Sequence, residues 1–261
     1  MKRRSRITSF LILTIVSLNV SAGAQVLETE TARQLRAGQI ELGAGYEFQH
    51  SREGNEIAIP IAIELGVTSR LGLLVEPVPY TAIRPVSGMS ATGVGDLEVT
   101  MSYLIRHESP RFPALALAAE EKIPTARNNL IGTGKPDHTG YVIASKMFGR
   151  FDTHFNVGYT FVGSPKGQSL QNRVTGALAT EFAATTRTFL YGEVLGSTSA
   201  GGGEGESTAT TSPVPEASGD EIFGTLGVAH SLARGTLISF GVTRDNVGAI
   251  QVRPGLTLWF R

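Results

Sequence analysis

The chain has no cysteine among its 261 residues, which excludes a disulfide framework, thiol chemistry and a thiolate metal site. Net charge is also absent: Lys+Arg and Asp+Glu number 23 each and the pI is near 7.0. That balance argues against a nucleic-acid partner and a polybasic membrane patch. Beyond the first two dozen residues no apolar run approaches the ~20 residues of a spanning helix, so a helix-bundle membrane protein is excluded. Charged residues make up only 18% while glycine reaches 31 copies, a composition that suits neither a disordered chain nor a helix-rich one.

What is present begins with a leader. Met1 to Arg6 is basic, Ile7 to Val20 is apolar, and Ser21-Ala22-Gly23-Ala24 is small, the pattern of a signal peptide over 1–24. A membrane anchor would need a longer run without Thr14, Ser17 and Asn19. From Gln25 on, the length suits one all-β domain.

The stretch Phe151 to Val162 sets the theme. Phe151, Phe155, Val157, Tyr159 and Phe161 fall on one face, and Asp152, His154, Asn156, Gly158 and Thr160 on the other. Side chains alternate across a strand, so this is a strand with one apolar and one polar side. The alternation recurs over 39–49, 56–65, 95–105 and 250–260. It predicts twelve strands, near 38–50, 56–66, 71–82, 93–106, 113–124, 137–149, 151–163, 170–184, 187–199, 220–233, 235–244 and 250–260. Each has the length of a tilted strand crossing hydrocarbon.

Short connections such as Val67 to Arg70, Gly149-Arg150 and Leu232 to Gly235 alternate with longer ones such as Thr125 to Pro136. Short turns on one rim and long loops on the other predict an antiparallel up-and-down transmembrane β-barrel over 38–261, with periplasmic turns and both termini on the periplasmic side. A soluble barrel or sandwich would show the same alternation with inside and outside exchanged. The scarcity of charge on the polar face argues against it, since soluble exteriors carry ~25–35% charged residues. So do the leader and the aromatic residues at strand ends: Tyr46, Phe48, Phe151, Tyr159, Phe161 and Trp259. The segment 25–37 lacks strand alternation and reads as a periplasmic piece, a short helix or a tether. Ser197 to Gly219 is a low-complexity external loop.

Particular residues add a resemblance. Gly93-Val94-Gly95-Asp96, Ala114 to Thr125, Gly132 to Asp137 and Gly158 to Gly163, in that order and spacing, resemble the MetA-pathway of phenol degradation family. The resemblance implies an outer-membrane β-barrel that passes small, often aromatic or apolar, compounds. The end of the chain resembles the signal read by the barrel-assembly machinery, with Arg253, Gly255, Leu258 and Phe260 as its positions, although Arg261 follows the final aromatic. Glu121 departs from the family pattern. Alternation turns it toward lipid, which places it at the external rim or a bulge.

With apolar faces outward, Glu41, Glu47, Glu56, Glu64, Glu76, Asp96, Glu98, Glu120, Lys122, Lys146, Asp152, His154, Arg173, Glu181 and Arg253 are expected in the lumen. Acids on strands 1 to 4 and bases on strands 5 to 8 and 12 would then pair across a narrow interior, between the small side-chain-filled barrels and the wide porins. Such charges either hold the wall together or select a permeating solute. Asp152 and His154 read most simply as wall residues.

Enzyme chemistry is not supported. No histidine lies on a lipid face beside a serine, alternation turns His138 inward, Gly132-Thr133-Gly134-Lys135 lacks the spacing of a phosphate loop, and no metal or cofactor motif appears. The reading is a passive outer-membrane channel of a Gram-negative-type bacterium. Its partners are outer-membrane lipid, the assembly machinery and a small-molecule solute. The alternative is a non-transporting structural or surface-interaction barrel plugged by its own side chains.

Overall fold

Proline and glycine decide where the wall of this molecule is regular. The structure, a computed structural model, describes residues 27–167, 169–200 and 220–260; the expected leader and most of the low-complexity loop lie outside them. Twelve antiparallel strands make the wall. They are β1 (Ile40–Gly45 and Glu47–His50), β2 (Gly54–Ile59 and Ile61–Gly66), β3 (Leu71–Pro77 and Tyr80–Pro85), β4 (Ala91–Gly93 and Leu97–Arg106), β5 (Ala114–Ile123) and β6 (Asp137–Phe148). The rest are β7 (Phe151–Phe161), β8 (Arg173–Ala183), β9 (Thr188–Ser197), β10 (Glu221–Ala233), β11 (Thr236–Asp245) and β12 (Ile250–Phe260). Each strand pairs with the next, and β1 pairs with β12, so the barrel closes.

The first four strands are each interrupted. Pro60, Pro77 and Pro79 have no N–H to give a ladder, so the breaks in β2 and β3 fall beside them. Backbone bonds bridge the gaps: Tyr46 N donates to Pro254 O at 3.0 Å, Gly45 N to Pro60 O at 3.0 Å, and Gly95 N to Val78 O at 2.8 Å. The break at Val78-Pro79 also exchanges the faces of β3. Leu74 and Glu76 share a face with Glu64 and Glu98, whereas after the break Thr81 and Ile83 share one with Ala58 and Glu56. This is the effect of a bulge, and it carries β3 to Pro85, beyond the expected end at 82.

The exterior is apolar. Met101, Leu117, Val142, Phe155, Leu178, Val194 and Phe240 all stand exposed, a belt too large for water and suited to hydrocarbon. Aromatic pairs mark its two edges. Phe151 packs on Phe182 at 4.8 Å at the short-turn rim, with Arg150 over Phe182 at 4.9 Å, and Tyr159 meets Phe161 edge-on at 5.0 Å at the other rim. Trp259 is not part of this girdle, because it points inward and donates to Glu41 Oε2 at 2.5 Å. The tightest turn, between β6 and β7, needs Gly149 at φ 63, a left-handed conformation that suits glycine.

The core lies inside the barrel, where the described residues form three apolar clusters. One joins Ala32 to Leu104, Ala114, Ala116, Ala118 and Ile143, a second joins Leu27 to Ala179, Tyr191, Ala229 and Leu237, and a third joins Ala177, Leu195 and Phe223. The first two each include a residue from before β1. In place of the periplasmic helix or tether expected over 25–37, residues 27–37 run without regular structure through the lumen.

Candidate functional site

The site is the lumen together with the segment that fills it. Gly38 N donates to Gly66 O at 2.7 Å, which turns the chain inward from the start of β1. The segment then lies so close to β2 and β3 that side chains are excluded. A Cβ on Gly66 would stand 2.2 Å from Arg36 O, and one on Gly72 2.1 Å from Gln34 Oε1. Gln34 Oε1 also accepts from Ser102 Oγ at 2.8 Å.

Arg33 anchors the segment at the short-turn rim. Its guanidinium reaches Asp152 at the foot of β7 and Glu108 in the turn before β5, both at 2.7 Å. Burial pushes the Glu108 carboxyl up, but bonds from Arg33, the Met147 N–H and Lys146 outweigh it and hold the pKa below the usual range.

Higher in the lumen, Ala32 N donates to Ser145 Oγ at 2.8 Å, and Ser145 Oγ meets His154 Nδ1 at 2.9 Å. Asn156, with its amide nitrogen toward the Glu30 carbonyl, spans the Glu30 backbone with bonds of 3.0 and 2.6 Å. Burial first, then the neighbouring Glu28 and Glu193, pushes the Glu30 pKa up to about 7. Thr29 donates through N and Oγ1 to Glu193 Oε1, at 2.8 and 2.5 Å. Finally Arg253 of β12 takes Glu28 at 2.5 Å and Glu47 of β1 at 3.3 Å.

The long-loop mouth is narrowed by a second element. Gly93 shares the lumen face of Thr81, and a Cβ placed on it would meet Ile131, a buried residue of the connection between β5 and β6. Asp96, wholly buried, holds this connection by accepting from Ala126 N at 2.9 Å, while Thr125 Oγ1 donates to Gly95 O at 2.8 Å. Gly132 is pressed against the Asp96 carboxylate, and a Cβ on Gly163 would stand 2.2 Å from Pro136 O. Lys122 bridges to Asp137 at 2.5 Å, and Asp137 accepts from Gly163 N at 2.8 Å. The separated motifs at 93–96, 132–137 and 158–163 thus meet in space.

Of the expected lumen residues, Glu41, Glu47, Glu64, Glu76, Asp96, Glu98, Glu120, Lys122, Asp152, His154, Arg173, Glu181 and Arg253 lie on the inner face by register. Lys146 does not. It pairs with Thr153, on the face of Phe155, and its ammonium turns to Ser109 O at 2.6 Å and Glu108 at 3.2 Å at the rim. His138 is also on the outer face, not the inner one, where it bonds Glu121 near the long-loop rim. Both corrections have one cause. The inner face of β6 carries Tyr141 and Ile143, as apolar as Val142 and Ala144 outside, because Ala32 of the segment packs against it.

The expected pairing of a strand-12 base with a strand-1 acid is met by Arg253 and Glu47, though across the closing seam, and other pairs run along the wall and to the segment. Lys122 takes Asp137 on the next strand, Arg253 takes Glu47 across the closing seam, and Arg33 supplies a base that strand patterns never offered. Glu28, Thr29, Arg33, Ser145 and Glu193 were not foreseen. One signal for them existed: Ala114, Ala116 and Ala118 leave the first half of the inner face of β5 without a polar side chain, which calls for something apolar packed on it from within.

Among the described residues no group of His, Asp and Glu is placed to hold a metal. No protein-family model and no curated protein sequence matches the chain. Solved structures do. The COG4313 outer membrane channel from Pseudomonas putida F1 is similar with a TM-score of 0.67 at 13% identity, over 90% of this chain and 100% of that one. The NanC porin gives 0.56 at 9% identity, over 83% and 98%. The KdgM porin in complex with disordered oligogalacturonate gives 0.54 at 10%, over 84% and 99%. At these identities the likeness establishes the fold, a closed barrel of the outer-membrane kind.

Proposed function

We propose that the chain is an outer-membrane channel for small solutes, closed at rest by its own residues 27–37. The carrying observation is that the filler of the lumen is not the wall. The barrel closes strand to strand without this segment, which is held by separable polar contacts to Ser145, Asp152, Glu193 and Arg253. A barrel built only as a post would fill its interior with its own side chains. In this reading the leader over 1–24 exports the chain. Arg253, Gly255, Leu258 and Phe260 address it to the assembly machinery, and the apolar belt seats it in outer-membrane lipid. The resemblance to the MetA-pathway family supports solutes with an apolar or aromatic body. The charged lumen residues line the path. The test is conductance in planar bilayers and solute uptake in liposomes, with the full chain and with a variant lacking 27–37. The variant is expected to conduct and the full chain to open rarely. Silence from both, with heat-modifiable migration showing a folded barrel, would establish the non-transporting alternative.

A further inference from the structure

Every short turn of the barrel carries an arginine. In chain order these are Arg70 in 67–70, Arg111 in 107–113, Arg150 in 149–150, Arg187 in 184–187 and Arg234 in 234–235, and Arg106 stands at the foot of β4; all are exposed. Within these turns the one acid is Glu108, and it is turned to Arg33 and Lys146. A chain with a net charge of +0 argues against a polybasic patch, yet the fold gathers one on this rim. Like charges brought together this way repel unless a group of opposite sign lies among them.

The wall is bent to point one of these arginines outward. Leu104 pairs with Ala116, both buried inside, and strict alternation would turn Arg106 in beside them. A register shift between Leu104 and Arg106 sets Arg106 opposite Leu115 instead, on the outer face. Bulges re-aim side chains in this way. There the guanidinium lies over the Phe112 ring at 4.7 Å, and Phe112, Tyr103 and Ile105 are all exposed. Arg70 joins from the neighbouring turn, where its Nη1 donates to Ile105 O, the carbonyl just before Arg106, at 3.3 Å. A second register shift, between Ser231 and Ala233, falls at the same rim one residue before Arg234. With Arg150 over Phe182, two guanidiniums thus sit on aromatic rings at the edge of the apolar belt.

That position decides the partner. A soluble anion would be met from the inner side, at the mouth, whereas Arg106 stands on the outer face where the hydrocarbon belt ends. A phospholipid is the molecule that sets a phosphate beside an apolar surface. The guanidinium fork suits phosphate oxygens and keeps its charge while stacked on a ring. We infer that the short-turn rim binds the headgroup phosphates of anionic phospholipids in the leaflet it faces, most tightly at Arg70, Arg106 and Arg111. The inference rests on the seating of the belt in lipid and not on conduction.

The test is native mass spectrometry of the whole folded protein in detergent, with dioleoyl phosphatidylglycerol and dioleoyl phosphatidylcholine added together at equal concentration. The tails are the same, so any difference reads the headgroup. Phosphatidylglycerol is expected to stay bound at collision energies that strip phosphatidylcholine. Near a membrane surface one arginine contributes about fivefold in affinity for anionic lipid, so Arg70→Gln/Arg106→Gln is expected to weaken phosphatidylglycerol binding about twenty-five-fold. Arg106→Lys, which keeps the charge without the fork, should lose less than Arg106→Gln. Arg52→Gln, exposed on the connection between β1 and β2 at the opposite rim, is expected to bind as the parent does. Heat-modifiable migration checks that each variant is a folded barrel. Equal retention of the two lipids, or a double variant that holds phosphatidylglycerol like the parent, would overturn the inference. So would release of the lipid by millimolar inorganic phosphate, which would assign these arginines to a soluble anion.

Discussion

Strands β1 to β4 are each interrupted and turn Glu41, Glu64, Glu76 and Glu98 into the lumen, whereas β5 to β12 run unbroken and turn in Ala118, Ser145, Asn156 and Thr225 with both acids, Glu120, Asp152, Glu181 and Glu193, and the bases Lys122, Arg173 and Arg253. In β2 and β3 the breaks fall beside prolines, while Pro254 sits within the unbroken β12. Pro60, Pro77 and Pro79 fall in the first part, and an interrupted ladder leaves backbone groups free for other partners. One such group is used, as Gly95 O takes Thr125 of the inward connection, and on the same side of the wall Gly66 leaves room for the Arg36 backbone. The interrupted part is therefore where other pieces of chain dock, while the regular part supplies fixed posts, namely Ser145, Glu193 and Arg253. A segment stretched between the two can close the lumen without belonging to either.

The largest expected effect comes from removing that segment. Deletion of 27–37 is expected to convert a mostly silent barrel into one with steady conductance in planar bilayers; a deletion variant as quiet as the parent would mean that the interrupted wall and its inward connection close the lumen unaided. Next is the regular wall. Lys122→Met leaves Asp137 buried without its cation and is expected to cost about 3–5 kcal/mol in urea unfolding, with Lys122→Met/Asp137→Leu recovering most of it. If the single and double variants unfold alike, the pair does not brace this wall.

Smaller is the rim anchor. Arg33 keeps about a fifth of its side chain exposed, so its bonds to Asp152 and Glu108 are partly screened, and Arg33→Ala is expected to loosen the segment by about 1–2 kcal/mol, read as higher open probability. The opposite change sharpens the same point. Thr31 Oγ1 and Ser145 Oγ lie 3.4 Å apart, and in a chain without cysteine Thr31→Cys/Ser145→Cys gives one possible disulfide. Oxidation should silence the channel and reduction should restore it.

The smallest effect is titration of Glu30. In its seat burial first, then the neighbouring Glu28 and Glu193, raises its pKa from the ordinary 4.5 to about 7. The seated segment therefore holds the proton more tightly than a released one does. The seat has its full stability below about pH 4.5 and loses it as pH rises through 7. Open probability is expected to climb between pH 5 and pH 8, and Glu30→Gln should flatten the climb; an unchanged slope in that variant would assign the titration elsewhere.

The wall was legible because a period of two, repeated with alternating loop lengths, has few other solutions. β7 and β12 were found almost to the residue. β6 was found but turned over, since Tyr141 and Ile143 inside are as apolar as Val142 and Ala144 outside and polarity alone could not orient it. The segment 27–37 left no periodic trace. Its partners are side chains far along the chain, with Thr29 and Glu193 separated by 164 positions and Ala32 and Ser145 by 113, and no local pattern encodes such contacts. The inward turn of Trp259 was written in the alternation, but its partner Glu41 lies 218 positions away.

Arg253 has a consequence for how the barrel is made. The seam between β1 and β12 joins the first strand to the last, so it bears the greatest entropy of loop closure in the molecule. Arg253 holds Glu47 of β1 on one side and Glu28 of the segment on the other, so the arriving strand finds two carboxylates waiting instead of one. A register slip of one residue would turn the guanidinium out to lipid, and a slip of two would carry it past both partners. The lumen segment and the seam of the wall thus hang on one guanidinium, so neither can shift in register without the other.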